Sequence, residues 1–154
     1  MLADMPSPGL FAVGTAGDKE RVVHAVIDSG AVASVVPPGL FAGAVRPSAM
    51  SRAGRCYRAA NGARIKNLGE MAVNFLSPEG HRCSLPFQVA QVEKPLVAVS
   101  QLAAAGNVVE LGSDGGCITN KRTGMKLNLM RRDGVYVLPM KVPAVASGFP
   151  RPEC

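Results

Sequence analysis

The sequence predicts a mostly β domain, a closed, barrel-like sheet carrying one short helix near residues 100–106. Three observations point there. The chain holds 17 Gly and 12 Pro in 154 residues, a density that suits short strands joined by tight turns and argues against a helical bundle. Its apolar residues fall in short runs bounded by those turn formers. Aromatic residues make up 5% of the chain and Trp is absent, so the core has to be built from Val, Leu, Ala and Met. The length suits one domain, and the 47% apolar and 18% charged fractions are those of a globular protein.

Residues 1–9 carry two prolines and no periodicity, and read as a loose lead-in. The folded domain is expected over 10–140 and a flexible tail over 141–154. A first strand, Leu10–Thr15, meets a turn at Ala16-Gly17-Asp18. The next, Arg21–Ile27, is nearly continuous in apolar residues, the pattern of a strand buried on both faces. It ends at Asp28-Ser29-Gly30-Ala31, after which Val32–Val36 resumes a β-rich run that Pro37-Pro38 stops. Gly39 to Arg55 is irregular. Tyr57-Arg58-Ala59-Ala60 leads into Asn61-Gly62, the strongest hairpin signal in the chain, and Ala63–Asn67 returns. Gly69–Leu76 and Cys83–Val92 pair across Ser77-Pro78-Glu79-Gly80. After the apolar run Pro95–Val99, Ser100 is expected to cap a helix over Gln101–Ala105 that Gly106 ends, with Asn107 in the turn beyond. Strands at Val108–Leu111, Cys117–Asn120, Lys126–Met130 and Val135–Leu138 complete the set.

The formal net charge is +6, but the basic residues read as scattered, and the densest run, Lys121 to Arg132, lies within a likely hairpin without aromatic residues to stack bases. A solvated basic face is therefore preferred, and nucleic acid is not expected as a direct ligand. Cysteines stand at 56, 83, 117 and 154 with no Cys-x-x-Cys pair and no His at zinc-ligand spacing. Free thiols in a reducing, intracellular compartment are expected, with no metal, no cofactor and no membrane span.

One element carries chemistry. A carboxylate closing an apolar strand is costly unless paired or hydrogen-bonded, and Asp28 stands there. Ser29 offers a hydroxyl to lock the turn, and Gly30 lets a second backbone approach. Alone, Asp-Ser-Gly is an ordinary turn. A phosphorylated Asp-Ser-Gly degradation signal fits poorly, since Ala33 stands where its second serine belongs and Ser34 comes one place late.

The order of the surrounding elements resembles the retropepsin family of aspartic proteases, most closely those of copia-type LTR retrotransposon polyproteins. The likeness covers roughly residues 10 to 140: the strand Val22–Ile27, the Asp28 triplet with Ala31, the hairpin at Ala60-Asn61-Gly62, and Leu96-Val97-Ala98 leading into Val99-Ser100-Gln101-Leu102 and Gly106. Cys117-Ile118, Thr123-Gly124 and Gly134 to Leu138 resemble the stretch that follows the helix in such elements. The resemblance implies that Asp28 is catalytic and that Ser29 ties two active-site turns together. It further implies that Gly30 and Ala31 meet substrate backbone, that Ala60, Asn61 and Gly62 form the flap, and that Leu96, Val97 and Ala98 pass beneath the turn. Two carboxylates close together share one proton, so one acts as base on water while the other polarises the scissile carbonyl. The chain holds one such triplet; Asp114-Gly115-Gly116 and Asp133-Gly134 lack the hydroxyl residue, so the second Asp has to come from a homodimer.

This chain departs from the family where Ser29 replaces the commoner Thr and Ala98 the expected Gly, whose added Cβ is expected to crowd the turn. The function expected is endoproteolysis of a retrotransposon polyprotein. The alternatives are an inactive retropepsin-like dimerisation module and a basic RNA-associated domain. His24, on the face of Asp28, reads as structural, and His81 as exposed. Tyr57 is placed at the core or rim of a cleft, and Ser100 lacks the partners of a nucleophile.

Overall fold

The computed structural model describes residues 20–58 and 62–143. Strand Leu10–Thr15, the turn at Ala16-Gly17-Asp18, flap residues Ala60 and Asn61, and the tail from Ala144 to Cys154 lie outside the described residues. The described chain is mostly β. Its strands are β1 (Glu20–Asp28), β2 (Val35–Val36), β3 (Cys56–Arg58), β4 (Arg64–Leu76), β5 (Arg82–Ala90), β6 (Leu96–Ala98), β7 (Asn107–Gly112), β8 (Gly115–Asn120), β9 (Lys126–Arg132) and β10 (Val135–Pro143). Two short helices, α1 (Ala49–Arg52) and α2 (Val99–Ala104), interrupt them.

The ten strands form one sheet in the order β3-β4-β5-β2-β6-β1-β10-β9-β8-β7. The sheet curls until β10 meets β4 at the pair Lys141↔Leu76. The closure is ring-like and rests on that one pair. In β4 the residues Met71, Val73 and Phe75 alternate inward with period 2, and they face Phe87, Leu85 and Cys83 of β5 across the ladder. These join Leu138, Met140, Val36, Val89 and Val97 in one core, with Phe41 and Phe87 stacked at 6.3 Å between ring centroids. Burial pushes the Cys83 thiol up to about 11, so it stays protonated among these apolar neighbours. At Gly69 a bulge brings the backbone so close to Arg46 that a Cβ would lie 2.5 Å from its carbonyl oxygen, and φ is +137°.

Several expectations are corrected. β1 is not buried on both faces: Val22 is 51% exposed, and only Ala25 and Ile27 are fully inside. Its outer half instead pairs with β10 through Arg21↔Val142 and Glu20↔Pro143, so the last strand runs past residue 140. Of Val32–Val36 only Val35 and Val36 form a strand. The irregular stretch before Arg55 holds α1, started by a capping box in which Ser48 and Ser51 each bond the other's backbone N–H. Helix α2 begins earlier than expected. Ala98 is its N-cap, so Ser100 lies within the first turn and does not cap it. Gly106, at φ +91°, ends it as expected. Asn107 opens β7 and donates from Nδ2 at 2.9 Å to the Leu102 carbonyl, which also accepts from the Ala105 N–H at 3.2 Å.

Candidate active site

β1 delivers Asp28 to the site, and two strands fix where it points. Parallel pairing sets Val26 against Leu96, Ile27 against Val97 and Asp28 against Ala98, with the Val26 N–H donating to the Pro95 carbonyl at 3.0 Å. Beyond the turn the chain returns as β2, whose Val35 pairs antiparallel with Leu96. β6 therefore lies between the two strands that flank the Asp28 turn. The apolar motif Leu96-Val97-Ala98 belongs there because the position has sheet neighbours on both sides; Val97 and Ala98 are 1% and 0% exposed.

The turn is held by buried polar groups. Ser34, 4% exposed, accepts from the Ala98 N–H through Oγ at 2.9 Å. Its own N–H donates to Gln101 Oε1 at 2.6 Å, and its carbonyl accepts from the Gln88 N–H at 2.8 Å. Ser100 Oγ donates to the Ala31 carbonyl at 3.5 Å. One serine thus ties the turn to β5, β6 and α2. At the surface, Asp28 is half-buried and its Oδ1 accepts from the Gly30 N–H at 2.8 Å, which orients the carboxylate. Oδ2 has no partner among the described residues. Ser29 and Gly30 are exposed, Ala31 is half-buried and Val32 is 78% exposed. A Cβ on Gly30 would meet only Asp28 Oδ1, at 3.5 Å, so packing within one chain does not demand glycine there. Ala98 has φ −80° and ψ 124°, open to any L-residue, and its methyl is buried in the packing beside Asp28.

The hairpin of β3 and β4 pairs Cys56↔Lys66, Tyr57↔Ile65 and Arg58↔Arg64, and Gly62 near its tip has φ +87°. Four strands separate β3 from β1 in the sheet order, so the ladder does not set the hairpin beside Asp28. Its base is anchored by Asn67, 2% exposed. The Asn67 Nδ2 donates to the Tyr57 hydroxyl at 3.1 Å and to Gln88 Oε1 at 2.9 Å, while Oδ1 accepts from the Gly69 N–H at 2.8 Å. Ser48 Oγ donates to the same Gln88 oxygen at 2.9 Å. Burial raises the Tyr57 hydroxyl above its ordinary value, and the Asn67 hydrogen bond opposes that shift.

Elsewhere, His24 Nδ1 accepts from Arg132 Nη1 at 2.9 Å, the structural role expected of it. Asp114 and Asp133 sit in turns. Cys56, Cys83 and Cys117 are free thiols. Among the described residues no cluster of three His, Cys, Asp or Glu side chains is placed to hold a metal ion, and no helix is long and apolar enough to cross a membrane. Sequence reasoning missed Ser34, Gln101, Asn67 and Gln88 as site-building residues. Their signal was a polar side chain inside an otherwise apolar stretch, visible for Ser34 between Ala33 and Val35. Comparison with known proteins adds no family: no protein-family model, curated protein or solved structure matches the chain.

Proposed function

We propose that the chain is a retropepsin-like aspartic endopeptidase, active as a homodimer with one Asp28 from each copy. The observation that carries this reading is the seating of β6 between the two strands that flank the Asp28 turn, with Ala98 directly opposite Asp28. That is the arrangement the family resemblance implies for its active-site turn and its second apolar motif. The exposed Ser29-Gly30 turn and the 78% exposed Val32 beside it supply polar groups and an apolar contact for a second copy on a twofold axis. In the dimer, one Asp28 carboxylate takes a proton from water as the water attacks the scissile carbonyl carbon. The other, carrying the shared proton, donates to the carbonyl oxygen. The Gly30 amide holds Oδ1, so each carboxylate enters the step already oriented. The substrate is an extended polypeptide, with the polyprotein of an LTR retrotransposon as its source. Ala98 is compatible with this chemistry because its backbone has no need of glycine.

The test pairs cleavage with mass. The protein is expected to cut at its own polyprotein junctions and to be blocked by a statine-type transition-state mimic. Asp28→Asn is expected to lower the rate on the order of 10³-fold or more while sedimentation still shows a dimer. Unchanged cleavage by the variant would remove the catalytic role. A wild-type dimer that cuts nothing would instead mark an interaction module.

A further inference from the structure

The positive charge of this chain falls into two stretches without acidic residues, 29–69 and 115–132, and the first is the longer. Between Asp28 and Glu70 the sequence has no acidic residue and six basic ones: Arg46, Arg52, Arg55, Arg58, Arg64 and Lys66. The chain's 17 Lys and Arg exceed its 11 Asp and Glu by the same six, so everything outside this segment is neutral overall. All six side chains are exposed. The fold gathers four of them on or beside the β3–β4 hairpin, where Arg55, Arg58 and Arg64 line a cleft together with Cys56 and Tyr57.

Register sorts the hairpin's two faces. Tyr57 and Ile65 are paired and half-buried, whereas Arg58, Arg64, Cys56 and Lys66 share the opposite, exposed face. Arg58 and Arg64 stand directly across from each other, an arrangement that costs stability unless an anion lies between or beside them. Among the described residues β3 is also the terminal strand of the sheet. The Asn67 N–H donates to the Arg55 carbonyl at 3.2 Å, so the bonded pairs are Arg55 with Asn67 and Tyr57 with Ile65. By alternation the N–H and C=O groups of Cys56 and Arg58 point away from β4, towards the open edge. An edge with unpaired backbone groups and a cationic face accepts an added strand whose side chains are acidic.

We infer that the β3–β4 hairpin is a docking site for an extended acidic peptide, which adds to the free edge of β3 and sets its carboxylates against Arg58, Arg64 and Lys66. The site lies outside the Asp28 turn and stands whether or not that turn is catalytic. Single-stranded RNA fits the same charge less well. The hairpin's described residues hold one aromatic, Tyr57, half-buried, so there is no row of exposed rings on which successive bases could stack.

Fluorescence anisotropy of the full chain tests this with a labelled peptide of alternating Glu and Val. The peptide is expected to bind at about 0.05 M salt and to weaken about tenfold by about 0.3 M. The double variant Arg58→Glu/Arg64→Glu is expected to weaken binding by about tenfold or more, while Arg122→Glu in the distant β8–β9 turn leaves it unchanged. A peptide N-methylated at alternate amides, added to the wild-type protein, keeps the charge but removes strand pairing, and is expected to lose binding; this arm needs no variant to fold. The inference is overturned if the acidic peptide does not bind, if N-methylation makes no difference, if the double reversal leaves affinity unchanged, or if an oligouridylate of equal charge binds more tightly.

Discussion

The Asp28 turn and the β3–β4 hairpin are both short excursions from one sheet, yet they are secured in opposite ways. The turn is fastened beneath: Ser34, buried, reaches β5, β6 and α2 through three hydrogen bonds, and little but Asp28, Ser29, Gly30 and Val32 meets solvent. The hairpin is fastened at its base by Asn67, while its exposed face carries like charges in direct opposition. A group that must hold a carboxylate in one orientation gains from the first construction. A surface that receives a partner gains from the second, where open backbone and unneutralised charge remain available.

The contrast is sharpened by cutting each fastening. Asn67→Leu is expected to have the larger effect, about 3 kcal/mol by urea denaturation, because it leaves the buried Gly69 N–H without an acceptor and frees the Tyr57 hydroxyl. Ser34→Ala removes the acceptor of the buried Ala98 N–H and is expected to cost about 2 kcal/mol. The two variants should then part company. Under conditions where both remain folded, Ser34→Ala is expected to reduce peptide cleavage and spare acidic-peptide binding, and Asn67→Leu to do the reverse. Equal effects on both readouts would show that the two regions are mechanically one.

Much of this was legible in the chain, for identifiable reasons. Strands such as Gly69–Leu76 and Cys83–Val92 announce themselves because one face is buried and the period is 2, although β5 ends at Ala90. The turn at Asp28 and the motif at Leu96–Ala98 are each local patterns, although their pairing joins residues about seventy positions apart and only the family likeness linked them. The buried network was not legible. Ser34 meets Ala98 and Gln101, and Asn67 meets Gln88, across separations that no local window spans. Helix α1 escaped because its capping box uses Ser51 where Glu or Gln is the usual signal. The charge pattern escaped for a different reason: the basic residues between Asp28 and Glu70 are spread along the chain, and the informative quantity was the absence of acids among them.

The smallest effect is expected at the opposite end of β4 from the hairpin, where the turn to β5 is clipped to β9. There Ser77, 1% exposed, bonds both ways with His81, and Glu79 Oε2 accepts from the Asn128 N–H at 3.0 Å. Partial desolvation acts to raise the Glu79 carboxyl, but the Asn128 N–H, the Glu79 backbone and Ser77 outweigh it and hold the group below its ordinary value. A carboxyl held low stabilises the fold fully above its unfolded value of 4.5, and that contribution disappears as pH falls through the lower folded value. Because Glu79 is largely exposed, Glu79→Gln is expected to cost only a few tenths of a kcal/mol at neutral pH. The gap between variant and wild type in urea midpoint should close as pH falls through that lower folded value. A gap that persists unchanged into acid would mean that the clip acts through the shape of the turn and not through the charge.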